Sequence, residues 1–355
     1  MIYDVAIIGA GPAGATLAKR LATLRPEAKI LLVDAEAIGK PKVCGGLLSE
    51  DAQELLAKMG MTLPTEILAP TQIFAVETID LASSLSVLYT RNYLNMDRRA
   101  FDRYLVSLIP EGVKILAGKC TSLEKSSDGF AVRVYNGKES ETYTARQIVG
   151  ADGASSTVRR RLFKQPIYRY VSIQQWFKNP DESLPPYSCI FDKKTSDSCS
   201  WTIRKGEYYI FGGAFAARGC RAAFEEQKAR LEAYLGKKLG EPTLTEACRV
   251  CSPRRARDIV LATPGVYLVG EAAGLISASS FEGISSAILS AKLLADAMAN
   301  AALDPEKTAK LYRRAAKPLK RKMLMKIPKM RVLTSPALRY VIMKSGVTSI
   351  EKFDR

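Results

Sequence analysis

Apolar positions along the chain follow two different periods. Near the start, Val5-Ala6-Ile7-Ile8 is a short continuous apolar run, and it predicts a strand covered on both faces that ends at Gly9. Ala15, Leu17, Ala18 and Leu21 then recur at helical spacing, and Ile30-Leu31-Leu32-Val33 predicts a second strand ending in Asp34. Two later runs, 147–149 and 266–269, read as strands that end in Gly-Ala-Asp-Gly and Gly-Glu-Ala-Ala-Gly. The second is followed, after Gly283, by a long apolar helix to about Met298. Elsewhere the period is two. Residues 71–94 read as a pair of alternating strands, with Phe74 and Val76 on one face of the first and Leu85, Val87 and Tyr89 on one face of the second. Runs at 170–177, 187–191, 199–203 and 208–211 predict an antiparallel sheet, and 222–235 a helix after it. Near the C-terminus Leu311, Ala315, Ala316 and Leu319 stand at helical spacing among basic residues, and Pro318, Pro328 and Pro336 are expected to break that stretch into short helices.

The first strand and helix are joined by glycines at 9, 11 and 14, a G-x-G-x-x-G spacing. Gly9 permits a tight turn, Gly11 lets the backbone approach a pyrophosphate, and Gly14 lets the helix pack closely on the strand. Pro12 and Ala13 lie in the first turn of the helix, whose free N–H groups and positive dipole end attract phosphate. Asp34, 20 residues after Gly14 and followed by Ala35, is placed to accept hydrogen bonds from an adenosine ribose. Strand, helix, second strand and acid arrive in register, which predicts dinucleotide binding; the motif alone does not separate FAD from NAD.

Composition narrows the chemistry. The 355 residues, 47% hydrophobic and 25% charged, suit about two globular domains. Neither a transmembrane stretch nor a basic leader is expected. The seven cysteines are an odd, scattered set, which predicts reduced thiols and a cytoplasmic protein. Cys248 and Cys251 form a C-x-x-C without a second pair, and no metal site is expected. The sequence contains no histidine, so Ser-His-Asp and Cys-His catalysis are excluded. The net charge is +17, of which residues 304–355 carry +11. That density predicts an anionic partner or, equally, the solvated face of a helix packed on the main body. Without an interleaved aromatic platform, nucleic acid is not the expected partner.

The combination of G-x-G-x-x-G, Gly-Ala-Asp-Gly and Gly-Glu-Ala-Ala-Gly resembles the FAD-dependent oxidoreductases of the p-hydroxybenzoate hydroxylase fold. Within them the chain is similar to the geranylgeranyl reductase family, and most to its CbrA-like bacterial branch, which has similar Cys-Gly-Gly-Leu-Leu, Gln-Gln-Trp-Phe and Gly-Glu-Ala-Ala-Gly segments. The resemblance implies an α/β fold. A discontinuous Rossmann-like FAD-binding domain (1–70, 95–165 and 255–300) would carry an inserted antiparallel β-sheet substrate domain (71–94 and 166–254) and a basic C-terminal helical segment (301–355). It implies non-covalent FAD held by Gly9, Gly11, Gly14 and Asp34, with Arg98 and Asp152 near the pyrophosphate and Gly270 and Glu271 near the ribityl chain. Most relatives have Asp where Glu271 stands, so its longer side chain makes that contact indirect. Gly283 and Ile284 match the helix N-terminus beneath the flavin pyrimidine ring, where a positive dipole end stabilises reduced flavin.

Cys44, Gly45 and Gly46 match the Cys-Gly-Gly motif on the flavin side of the pocket, and Cys44 is the candidate for direct chemistry; an inert thiol is the alternative. Trp201 matches the tryptophan of the family's Tyr-x-Trp-x-Phe-Pro signature, whereas Cys199, Ile203 and Arg204 replace its Tyr, Phe and Pro. Gln174, Gln175, Trp176 and Phe177, together with Tyr187, are expected to line the same hydrophobic pocket, unless this aromatic stripe is plain core. The implied activity is hydride transfer from flavin to a carbon–carbon double bond of an isoprenoid-like substrate, with NAD(P)H as a transient reductant or a redox protein in its place. An aromatic monooxygenase and a non-catalytic electron-transfer flavoprotein remain open alternatives on the same fold. A lipid-soluble substrate and the basic tail together lead to an expectation of peripheral association with the inner face of an anionic membrane.

Overall fold

The computed structural model describes residues 1–35 and 43–351; Lys42, at the head of the Cys-Gly-Gly segment, and residues 352–355 of the basic tail lie outside the described residues. In chain order the strands are β1 (Ile2–Ile8), β2 (Ile30–Asp34), β3 (Leu47–Leu48), β4 (Ile73–Asp80), β5 (Leu85–Asn95), β6 (Lys114–Ala117), β7 (Lys119–Ser126), β8 (Gly129–Tyr135), β9 (Ser140–Gly150), β10 (Arg169–Lys178), β11 (Tyr187–Phe191), β12 (Cys199–Lys205), β13 (Tyr208–Phe215), β14 (Leu244–Cys251), β15 (Ala262–Thr263), β16 (Val266–Leu268) and β17 (Ser349–Ile350). The α-helices are α1 (Pro12–Leu24), α2 (Glu50–Lys58), α3 (Arg98–Ser107), α4 (Cys220–Leu235), α5 (Ile284–Asn300), α6 (Pro305–Ala315), α7 (Lys317–Thr334) and α8 (Pro336–Ser345). Contacts divide the chain into two units.

The first unit falls within Met1–Lys42, Arg99–Tyr168 and Cys251–Met325. Its sheet runs β15-β16-β9-β1-β2-β6, parallel from β16 to β6. Val5, Ala6 and Ile7 are fully buried, as a central parallel strand requires. On one side α1 packs on α5, and Arg20 Nε meets Asp296 Oδ1 at 2.5 Å. Ile8 pairs with Val33 on one side and Gly150 on the other, and Gly150 pairs in turn with Leu268. The carboxyl ends of β1, β2, β9 and β16 therefore finish at one edge, where parallel α/β sheets bind ligands. Residues 114–135 receive no element from the sequence reading; here they form β6 and the β7–β8 hairpin, which extends the sheet from β9.

The second unit falls within Val43–Arg98, Arg169–Val250 and Lys326–Arg355. Its sheet runs β14-β10-β13-β12-β11-β4-β5-β17, with β3 on β5. Residues 43–70 group with it because β3 pairs with Leu94 and Asn95, and Leu68 bridges to Met96. The sheet is antiparallel except where β11 meets β4. One face is closed by α4, whose Phe224 stacks with Phe211 and Phe215. Phe74 and Val76 do not share a face as expected: Phe74 is 72% exposed and Val76 buried, because a register shift between Ile73 and Ala75 breaks the alternation.

Proline punctuation also acts differently from the expectation. Pro318 and Pro336 occupy first turns, where a missing N–H costs nothing, but Pro328 lies inside α7, which continues through it. The buried stripe of α6 and the start of α7 is Ala309, Tyr312, Ala316, Leu319 and Met323; Leu311, assigned to that stripe by spacing, is exposed. This half of the basic segment is thus a packed face, with its cations turned outward.

In the second unit α8 is held by an interior ion pair. Arg339 Nη2 lies 3.1 Å from Asp80 Oδ1, with both side chains 2% exposed. Removing one partner of a buried pair leaves an uncompensated charge, so Asp80→Ala should cost about 3–5 kcal/mol in denaturant unfolding of this unit. An unchanged midpoint would show that Arg339 finds other partners.

Candidate functional site

Residues of the ADP-binding pattern meet at the carboxyl edge of the first sheet. Gly9 has φ +103°, and a Cβ on it would lie 2.5 Å from Ala151 O. A Cβ on Gly14 would lie 1.8 Å from Gly9 O, so helix and strand touch backbone to backbone. Gly11 is different. Its φ of −63° is ordinary, and a Cβ there meets nothing within 4 Å. Neither backbone nor packing demands glycine at 11, so the space above it is left for a ligand. No side chain caps α1, and its first turn, with Pro12 and Ala13, holds no acid. The N–H groups of that turn are thus available to a pyrophosphate. Asp34, followed by Ala35, closes β2 beside this turn, and its own carbonyl accepts from Gly118 N at 2.9 Å.

Asp152 does two things at once. Its Oδ2 accepts from Thr157 N at 2.6 Å and Val158 N at 3.4 Å, capping the next helical turn. Its Oδ1 is buried and has no hydrogen-bond partner. Burial pushes its carboxyl above the usual carboxylate range, against the hydrogen bonds that lower it. The orphaned oxygen fits a ligand hydroxyl. Glu271 points elsewhere: its Oε1 accepts from Cys251 N at 2.9 Å, and Oε2 comes near Gly153. Gly270 N donates to Ser290 Oγ of α5 at 2.9 Å. At the start of α5, Gly283 is the N-cap and Ile284 the first residue, without side-chain cap or first-turn acid. A residue without an assigned role in the sequence reading, Arg159, holds this edge together. It is 4% exposed and donates to Ala272 O, Asp258 O and Gln165 O at 2.7–3.1 Å. Its signal was the Val-Arg-Arg after Asp152.

In the second unit the other candidates sort by strand parity. Cys189 pairs with Trp201 and Trp201 with Gly212, while Tyr187 pairs with Ile203 and Ile203 with Ile210. Gly212 and Ile210 in turn pair with Gln174 and Trp176. These residues share the face opposite α4. Gln175 does not belong to it: it points to α4, donating to Glu225 Oε1 at 3.1 Å and accepting from Lys228 Nζ at 2.9 Å. Neighbours on one strand cannot line one pocket, so of the run expected there Gln174 and Trp176 are on this face, whereas Gln175 and Phe177 turn to α4. Gln174 and Trp176 both donate to Glu246 Oε2 at 3.1 Å, an acid on β14 that no sequence pattern singled out.

The Cys-Gly-Gly segment lies over this face. A Cβ on Gly45 would be 2.5 Å from Ile203 Cδ1 and 4.0 Å from Trp201 Nε1. Cys44 Sγ accepts from Gly46 N at 3.4 Å, and Cys248 Sγ donates to Val43 O at 3.7 Å. Cys248 and Cys251 are free thiols on β14. Lys205 fastens the segment, donating to Gly46 O at 3.3 Å, to Met96 O at 2.7 Å and to Asn95 Oδ1. Burial lowers the Lys205 ammonium to about 8, opposed by Cys44 and Asp97. Arg98 is buried at the first residue of α3, where the two units divide in sequence. Among the described residues no cluster has the makings of a metal site.

An open glycine above an uncapped helix, an orphaned acid beside it and a second uncapped helix on the same edge fit a flavin dinucleotide. The chain belongs to the FAD binding domain family, whose pattern it matches over residues 2–326. It is 43% identical to Protein CbrA of Escherichia coli O6:H1 over 98% of this chain and 94% of that one. In fold it is similar to a geranylgeranyl bacteriochlorophyll reductase-like protein of Thermoplasma acidophilum (TM-score 0.80, 19% identity, 96% of this chain and 89% of that one). It is also similar to PqsL, a probable FAD-dependent monooxygenase of Pseudomonas aeruginosa (TM-score 0.72, 18% identity, 98% and 99%). No helix among the described residues is long and apolar enough to cross a membrane.

Gly11→Val should fold with an unchanged melting temperature once FAD is removed from both proteins, yet purify colourless, because its side chain fills only ligand space. Asp34→Ala should weaken FAD by about 1–3 kcal/mol in flavin-fluorescence titrations; a yellow Gly11→Val protein would contradict the assigned cradle. Lys205 has a folded-state pKa below its unfolded one, so between about pH 8 and 10.5 the unfolded chain binds the extra proton. Its contribution to stability should rise through that window by about 3 kcal/mol. Denaturant unfolding of wild type against Lys205→Met across this range checks it; parallel pH profiles would refute it.

Proposed function

We propose that the protein reduces a carbon–carbon double bond in a hydrophobic, isoprenoid-like substrate. The observation that carries this reading is the face of the second sheet where Tyr187, Trp201, Ile203, Ile210 and Trp176 lie side by side. Its cation, Lys205, is tied into three hydrogen bonds to the protein and does not offer a charge to a substrate. Bound FAD supplies the hydride for such a reaction. The chain's own part is to exclude water, align an extended apolar substrate against Trp201 and Ile203, and provide a proton. Where Trp201 keeps the family's aromatic, Ile203 makes the neighbouring wall aliphatic and packs under Gly45.

Hydride addition at one alkene carbon leaves its neighbour to take a proton. With no histidine in the sequence, the Cys44 thiol or water is the donor in this reading. In it NAD(P)H, or a redox protein, reloads the flavin. Likeness to PqsL over nearly the whole chain favours a second reading, aromatic monooxygenation. Anaerobic incubation of photoreduced protein with polyprenyl compounds separates the two. A product heavier by two hydrogens supports reduction; turnover that requires oxygen and adds one oxygen atom overturns it.

Cys44→Ala should retain FAD and lower turnover by about 10²-fold, the usual scale of a positioned proton donor. Unchanged turnover with an unchanged flavin potential would assign the thiol to packing alone.

A further inference from the structure

Helix α8 is turned inside out for a helix on a water-facing surface. Leu338, Val341 and Ile342 stand at i, i+3 and i+4, the spacing of a core-facing stripe. They are 50%, 64% and 39% exposed, while Arg339 on the inward side is 2% exposed. Val347, 65% exposed, continues the apolar surface beyond the helix. This orientation is fixed. Arg339 donates to Leu333 O at 2.7 Å as well as to Asp80, its guanidinium lies 5.0 Å over the Phe191 ring, and Met343 is buried beside it. Past the helix, Ser349 and Ile350 pair with β5. The stripe cannot roll under without pulling a buried charge out of its pair.

The chain on either side of the stripe carries one sign of charge. Lys329, Arg331 and Lys344 are exposed on α7 and α8, and the sequence has no acidic residue between Glu306 and Glu351. A second copy docking through the same stripe would bring a second cationic rim against the first. An anionic lipid surface matches both features, taking the apolar side chains below the headgroups and the cations at phosphate level.

We propose that the outer face of α8, with Val347, docks the protein on anionic bilayers. The core-packed half of the basic segment, α6 and the start of α7, does not insert. This inference is independent of the substrate reading, since it uses no residue of the flavin or pocket sites.

Flotation of the FAD-loaded full chain with phosphatidylcholine vesicles, with and without phosphatidylglycerol, tests it at low and high salt. Wild type should float only with phosphatidylglycerol, and high salt should release most of it, because screened attraction acts over about 8 Å at physiological ionic strength. Val341→Asp and, separately, Lys344→Glu should each reduce binding at least about threefold, with Val341→Asp the larger loss. Both variants should keep wild-type flavin absorbance and melting temperature. Recovery of wild type in the soluble fraction under all conditions overturns the proposal. So does equal flotation of wild type and both variants. Sedimentation velocity supplies the remaining outcome: a wild-type dimer that Val341→Asp converts to monomer would assign the stripe to a second copy and overturn lipid docking.

Discussion

The first unit depends on one contact between peptide groups. Gly14 lies so near Gly9 O that no side-chain atom fits between helix and strand, and Gly9 itself lies against Ala151 O. Two missing methyl groups thus draw α1, β1 and the turn after β9 to a common point. Everything at the carboxyl edge follows from that closeness. The helix N-terminus arrives at the end of the strand, Gly11 faces open space, and Asp152 turns back to cap its own helix with one oxygen left over. Arg159 then ties the Gly270–Ala273 turn to the same edge through backbone carbonyls.

In the second unit the ordering principle is alternation. A residue on β10, β12 or β13 is assigned to α4 or to the opposite face by parity, and a single-residue step decides whether it is core or surface of a pocket. Gln174 and Gln175 show how sharply this acts: identical side chains, adjacent in sequence, one bound to Glu246 and the other to Glu225 and Lys228. Gly212, with Trp201 against it, and Gly45, with Ile203 against it, let the aromatic and aliphatic walls lie flat against backbone.

Much of this was legible in the sequence, for identifiable reasons. The β1–α1–β2 entrance was readable because fully buried strands and a packed helix leave strong periodicity, and because glycine has few substitutes at Gly9 and Gly14. The strands β10 to β13 were readable from alternation. Parity, however, needs an absolute reference, and only the position of α4 says which face is which; hence Gln175 and Phe177 were grouped with Gln174 and Trp176. Opposite Ile73 to Ala75, β5 carries one extra residue between Thr90 and Tyr93 that no propensity marks. Lys205 and Arg159 received no role from the sequence, since their partners are mostly backbone carbonyls, which no residue pattern marks. Pro328 misled for a related reason: packing of Leu319, Met323 and Ile327 outweighs the missing hydrogen bond. Glu271, expected to reach the ribityl chain only indirectly, accepts from Cys251 N through Oε1, a backbone partner that no motif marks.

The sheet of the second unit is assembled from three separated stretches of chain, and its interior ion pair joins residues 259 positions apart. During synthesis Asp80 emerges early and Arg339 very late. Until the arginine appears, that carboxylate cannot be buried without a large penalty, and β5 lacks its β17 neighbour. The unit therefore gains its interior ion pair and the β17 edge of its sheet only when the last of its three stretches is in place.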